Sequence, residues 1–97
     1  MEYRNEKLSA RFVVPDKITV RQQLAYLSET VKNNDGNSMD SLWNGARLLI
    51  TEWECPVFPA FDTSLESVTD PDVTEVILWA ALEVRKHVNG LESVPKN

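Results

Sequence analysis

The segment 70–91 constrains the fold more than any other part of the chain. Asp70 is a good helix N-cap, and Pro71 suits the first helical position, where its missing N–H costs nothing. Gly90 suits the position just after a helix, with Leu91 placed to close the cap. The sequence therefore predicts a helix between these two boundaries.

The centre of this third predicted helix is apolar nearly all the way round. Its first face is of ordinary width and contains Val73, Val76, Ile77, Ala80, Ala81, Val84 and Val88. Leu78 and Leu82, one turn apart, lie nearly opposite that face, with Trp79 beside them. Such a helix is usually buried on every side, which two other helices can hardly achieve. Either it packs between them with the 54–69 loop over it, or one face is shared with another chain.

A first helix is predicted near residue 19. Thr19 and Gln22 form a capping box, in which the hydroxyl accepts from one orphan backbone N–H and the amide reaches back to another. An apolar stripe follows at spacings of four, three and four, formed by Val20, Leu24, Leu27 and Val31. The polar run 33–37 predicts an exposed turn that ends the helix.

A second helix is predicted from Ser38 or Asp40 to about Trp53. Its wide apolar face contains Met39, Leu42, Trp43, Ala46, Leu49, Ile50 and Trp53. Gly45 weakens a helix by about 1 kcal/mol relative to alanine, and it permits a close helix crossing. Pro56 is expected to end this helix, because the residue before a proline avoids the α region.

The connection 54–69 is long for a compact domain. It contains two prolines and a polar tract, together with the apolar side chains Val57, Phe58, Phe61 and Leu65. These side chains can cap the open end of a helical core. Alternatively, the connection is a binding loop, because long loops in compact domains often carry function.

The remaining segments complete the predicted fold class. Residues 10–15 are β-branched and aromatic and indicate a short extended segment, but no second clear strand follows. The segment therefore packs as coil or pairs with an edge on another molecule. We expect one mainly α domain over 1–97, a small three-helix domain with flexible ends at 1–9 and 92–97.

Charge and hydropathy exclude two classes of partner. The net charge is −5, whereas a nucleic-acid binder needs a basic surface for phosphate contacts. The densest basic run, 85–87, fits the last turn of a helix. The longest apolar run, 76–82, is far too short to span a membrane. With the single cysteine Cys55 and no signal peptide, we expect a soluble cytoplasmic protein.

The chain lacks the residue sets that catalysis usually requires. His87 is the only histidine, so no Ser-His-Asp or Cys-His set has sequence support, and a four-ligand Cys/His metal site is excluded by count. The three glycines are isolated, so no phosphate-binding loop is present. We expect no catalytic residues, no cofactor and no metal, and therefore a protein that acts by binding other proteins.

The order of these features resembles a known family. The extended run 12–15 is followed by the segment 18–23, which begins the first helix. The segment 43–53, which begins and ends with tryptophan, comes next. After it come a Cys-Pro break, an acidic loop, the segment 70–72 and a final helix. Across about residues 10–91, this layout resembles the small tail assembly chaperones and related tail proteins of long-tailed bacteriophages. The resemblance implies a non-enzymatic helical protein of the host cytoplasm that self-associates, binds the tape-measure protein and helps recruit tail-tube subunits.

The sequence suggests a set of protein-binding residues and two alternative functions. A chaperone would hold an apolar helix of its client, and the candidate protein-binding residues are Leu78, Trp79, Leu82, Phe58 and Phe61. The first alternative is a structural phage component, such as a head–tail connector or tail completion protein. The second is an acidic regulatory partner of the antitoxin or inhibitor type, which the charge balance suggests.

Overall fold

The computed structural model describes residues 1–30 and 39–92, with side chains described as far as residue 90. The elements in chain order are β1 (Glu2–Asn5), β2 (Ala10–Val13), α1 (Val20–Thr30), α2 (Met39–Leu49), β3 (Glu52–Glu54), a short 3₁₀ helix (Leu65–Ser67) and α3 (Pro71–Glu92). The strands form an antiparallel sheet in the order β1-β2-β3. The domain is therefore mixed α/β, and the prediction of a mainly α three-helix fold is wrong.

The sheet is held by a row of aromatic side chains across its inner face. Tyr3 is aligned with Phe12, and Phe12 with Trp53, so one residue of each strand lies in the same row. The ring centroids of Tyr3 and Phe12 are 5.2 Å apart, and those of Phe12 and Trp53 are 6.1 Å apart. Aromatic cross-strand pairs of this kind are a main source of sheet stability.

Three sequence predictions fail where these strands form. Residues 10–15 were expected to pack as coil or to pair with an edge on another molecule, but β2 is the central strand of this chain's own sheet. Residues 1–9 were expected to be flexible, but Glu2–Asn5 pairs with β2 along its length. Trp53 was expected at the end of the second helix, yet α2 ends at Leu49 and Trp53 lies in β3. The backbone N–H of Thr51 donates to the carbonyl of Val13 at 2.9 Å, so the chain joins the sheet well before Pro56.

The sheet also explains how α3 is buried. All seven residues of the first predicted face of α3 are buried, as the spacing predicted. The helix α2 packs against both α1 and α3, so α3 does not lie between the other two helices. Instead, the sheet covers part of α3, and the rings of Phe12 and Trp79 meet edge to face with centroids 5.0 Å apart.

The predicted capping box at the start of α1 is confirmed. The backbone N–H of Thr19 donates to Gln22 Oε1 at 2.8 Å, and the N–H of Gln22 donates to Thr19 Oγ1 at 3.1 Å. The close helix crossing at Gly45 is also present. An ideal Cβ built on Gly45 would lie 2.9 Å from Cδ1 of Tyr26 and 3.1 Å from Cγ2 of Thr30. Only glycine allows α1 and α2 to approach this closely.

The predicted start of α3 is confirmed, but its predicted end is wrong. Asp70 caps its start, because Oδ1 accepts the backbone N–H of Asp72 at 2.9 Å. The expected stop at Gly90 is wrong, since the helix continues through Gly90 to Glu92. Nothing near Gly90 forces a break, as an added Cβ would meet no atom within 4 Å. The predicted turn at 33–37 and the tail 93–97 lie outside the described residues.

Candidate protein-binding surfaces

The candidate residues of the sequence analysis do not form one surface. Leu78 and Leu82 are 37% and 42% exposed, so this part of the second face of α3 reaches solvent. Trp79 is half-buried against Phe12. These positions follow from the sheet, which covers the side of α3 where Trp79 lies and leaves both leucines outside it.

The two phenylalanines of the loop act in the core. Phe58 is buried, and its carbonyl oxygen accepts a hydrogen bond of 2.6 Å from Nε1 of Trp53. Phe61 is half-buried, with its ring centroid 5.7 Å from that of Trp53. Both residues therefore pack around the indole of β3, which is the core-capping role that the sequence analysis offered as the alternative to binding.

The most exposed apolar surface lies on α1, and the sequence analysis did not propose it as a site. Val20, Leu24 and Leu27 are 73%, 61% and 38% exposed. A shallow surface groove runs along this side, lined by Val20, Arg21, Leu24 and Ala25. We call Val20, Leu24 and Leu27 the α1 stripe.

Packing against α2 decides which side of α1 is buried. The side chains of Tyr26 and Thr30 are buried at the glycine crossing. At 3.6 residues per turn, they lie about 110° around the helix axis from the centre of the stripe. A tyrosine ring offers more contact area than a valine or leucine, and Gly45 provides the space for it. The pattern of the stripe was visible in the sequence, but its outward direction depends on this pairing.

The outer face of the sheet is charged and suits no apolar partner. Arg11 in the central strand lies 2.9 Å from a carboxylate oxygen of Glu54, 3.5 Å from Glu2 and 3.9 Å from Glu52. Partial desolvation alone would raise the pKa of Glu2, but Arg4 and Arg11 outweigh it and hold the pKa below its usual range. The alternation of Glu52 and Glu54 around Trp53 puts both acids on this face.

His87 has a structural environment. Its Nε2 lies 2.9 Å from the carbonyl oxygen of Pro15, and its Nδ1 lies 3.0 Å from the hydroxyl of Tyr3. Because a carbonyl only accepts, Nε2 carries the hydrogen and donates to Pro15. Burial raises the pKa of Tyr3, and the charges of Glu83 and Asp16 raise it further, so the phenol keeps its proton. The imidazole ring therefore links α3 to β1 through Tyr3, and to the segment that follows β2 through Pro15.

Two observations concern cysteine reactivity and metal binding. Cys55 is buried in the hydrophobic core. Among residues 1–30 and 39–92, no group of three or more His, Cys, Asp or Glu residues is placed to hold a metal ion. Over the same ranges, no helix combines the length and the hydropathy that a membrane span needs.

No family model matches the chain, and comparison with curated proteins and with solved structures gave no significant match.

Proposed function

We propose that this chain is a non-enzymatic protein-binding protein that holds an apolar helix of another protein along the α1 stripe. The observation that carries the proposal is the outward direction of that stripe. It consists of aliphatic side chains that are 38% to 73% exposed although the domain has an intact core. Burying each of them against a partner would contribute up to about 1.5–3 kcal/mol.

The spacing of the stripe favours a helical partner. Val20, Leu24 and Leu27 are separated by four and three residues, which is the spacing of the contact positions in paired helices. Side chains at these positions can insert between those of a facing helix at a shallow crossing angle. An extended peptide would instead require an open strand edge or alternating pockets.

Within this class, we propose a phage tail assembly chaperone as the specific function. The support is the layout of the sequence over about residues 10–91, together with exposed apolar surface on two helices. Leu78 and Leu82 on α3 provide a second, smaller apolar surface for the same or another partner. The proposed client is the tape-measure protein, with a tail-tube subunit as a further partner, in the cytoplasm of the host cell.

The proposal is tested by co-expression with the tape-measure protein of the same genome. We expect the wild-type chain to keep that protein soluble and to co-purify with it. Leu24→Asp should reduce co-purification by about tenfold or more, because one carboxylate would be buried against an apolar helix. Leu48→Asp is the matched control, since Leu48 is also an exposed leucine in a helix but lies outside the stripe.

Two results would contradict the proposal. If both aspartate variants bind the client as the wild type does, the α1 stripe is not the docking surface. If no complex forms with the wild type under any condition, the chaperone function is wrong. Circular dichroism of both variants checks that neither change unfolds the domain.

An acidic regulatory function is the second candidate, and the net charge of −5 favours it. Such a protein would bind a basic target through charge pairs, so its affinity would fall as salt concentration rises. Binding through the apolar stripe would change little with salt. A salt titration of the purified complex therefore separates the two functions.

A further inference from the structure

A second, separate groove lies between the first turns of α2 and α3 and the short 3₁₀ helix. It opens to solvent and has a volume of about 210 Å³. Most of its wall is apolar and comes from Met39, Trp43, Leu65, Val68, Ile77 and Leu78. We call this space the N-terminal groove. It gives the exposure of Leu78 a local explanation, because Leu78 lies on its wall.

The charged residues that the structure describes around the N-terminal groove have one sign. Asp40 and Asp70 line it and are exposed, and the described part of its lining contains no lysine, arginine or histidine. Because the groove is apolar within and acidic at its rim, it is complementary to an apolar group that has a positive charge next to it. The net charge of the whole chain has the same sign as the rim.

The size of the groove limits what it can hold. Pockets for small-molecule ligands usually enclose about 300–1,000 Å³, so this groove is too small for most of them. A volume of this size accepts one or two side chains of a peptide. Trp43 forms part of the wall, and its buried indole N–H has no acceptor among the described residues.

We propose that the N-terminal groove binds a peptide segment of another protein that inserts one aliphatic side chain and carries a lysine or arginine beside it. This inference rests on the proposed protein-binding function and adds a second recognition site to it. The α1 stripe would hold a helix of the client, and the groove would select a short basic sequence.

Selection from a random displayed peptide library on the purified chain tests the inference. We expect enrichment of peptides with Leu, Ile or Val adjacent to Lys or Arg. Thr74→Trp serves as the blocked variant, because Thr74 is exposed, lines the groove and can carry a large side chain across it. Enrichment that is absent, or that is equal on the wild type and the blocked variant, overturns the inference.

Synthetic peptides from the enriched pool then test the role of charge. Asp40→Asn should weaken their binding by about two- to fivefold, which is the range for a single exposed charge pair. Asp72→Asn is the matched control, since it also removes an acid from the first turn of a helix but does not line the groove. Equal effects of the two variants would contradict the assignment of the rim.

Failure of this inference can be distinguished from failure of the proposed function. Leu24→Asp should leave peptide binding at the groove unchanged, and Thr74→Trp should leave a helical client bound at the α1 stripe. If the library gives no enrichment while the client still binds through the stripe, only the groove is rejected. If peptides bind the groove while the client ignores the stripe, only the helical docking surface is rejected.

Discussion

Two glycines in the helices of this chain have opposite surroundings. Gly45 faces Tyr26 and Thr30 at the crossing of α1 and α2, whereas Gly90 has open space around it. Alanine favours a helix over glycine by about 1 kcal/mol, so helix propensity alone would predict that both substitutions stabilise the protein. The ring of Tyr26 is buried and has little room to yield to a new methyl group.

We therefore expect opposite results from the two alanine variants. Gly45→Ala should destabilise the domain by about 1–3 kcal/mol, because overpacking outweighs the gain in helix propensity. Gly90→Ala should be neutral or stabilising by up to about 1 kcal/mol. Urea unfolding followed by circular dichroism measures both. If Gly45→Ala stabilised the domain, α1 and α2 would be able to move apart without loss of stability.

The carboxylates around the sheet make stability depend on pH. The pKa of Glu2 is lowered in the folded state, and that of Asp16 is lowered by the hydrogen bond and charge of the N-terminal ammonium group. An acid with a lowered folded pKa stabilises the fold above its unfolded pKa, and that stability is lost as pH falls through the folded value. For Glu2 and Asp16, this stability is lost at pH values below the ordinary pKa values of the two groups, which are 4.5 and 3.8.

The corresponding variant is Arg11→Gln. It removes one of the two cations that lower the pKa of Glu2, so the fall in stability between about pH 6 and about pH 3 should become smaller. Arg21→Gln removes the same charge from α1 and should leave the pH dependence as in the wild type. The measurement is the midpoint of urea unfolding at each pH. If the unfolding midpoint of Arg11→Gln falls with pH as steeply as that of the wild type, groups other than Glu2 cause the acid sensitivity.

At the scale of elements, the aromatic row joins the sheet to α3. Phe12 is fully buried and contacts Tyr3 and Trp53 in the sheet and Trp79 in the helix. Phe12→Ala should cost about 3–5 kcal/mol in the free energy of unfolding. Phe61→Ala should cost less, because that ring is half-buried and lies in the loop. Equal losses from the two variants would mean that the row is not the main contact between sheet and helix.

Helices with local signals could be predicted from the sequence, and the sheet could not. The capping box at Thr19, the N-cap at Asp70 and the buried face of α3 depend on residues within a few turns. The strands are three or four residues long, and each is too short to show a clear alternation by itself. The pattern in Glu52-Trp53-Glu54 becomes informative only once its partner strand is known.

The same limit explains the result for the candidate sites. The sequence analysis named Leu78, Trp79 and Leu82 on α3 and Phe58 in the loop as candidate binding residues, but only the two leucines are exposed. Trp79 contacts Phe12 of β2 and Phe58 contacts Trp53 of β3, and the sequence did not predict how these strands pair. The α1 stripe was recognised as a pattern but its direction was not predicted, because amphipathic periodicity shows that a face is apolar without showing what covers it.

At the scale of the whole molecule, exposed apolar surface on α1 and α3 predicts weak self-association. Burial of the α1 stripe would contribute about 1.5–3 kcal/mol for each side chain. The loss of translational and rotational freedom opposes association by about 4–15 kcal/mol. We therefore expect dimers with a Kd of about 10 μM or weaker.

Sedimentation velocity over a concentration series measures this association. The wild type should shift to larger species as its concentration rises, and Leu24→Asp should shift less. Leu48→Asp serves again as the control. A strictly monomeric wild type would mean that the stripe does not recognise itself, and a tight dimer would mean that further surface takes part.

The pairing of β2 with β3 bears on how the chain folds during its synthesis. Thr51 bonds to Val13 across 38 positions, and Tyr3 contacts His87 across 84. The hairpin of β1 and β2 can form early, but its apolar side has no cover until α3 has left the ribosome. Contacts between distant positions also slow folding. The nascent chain therefore exposes the aromatic side of this hairpin while the residues between the hairpin and the end of α3 are being synthesised.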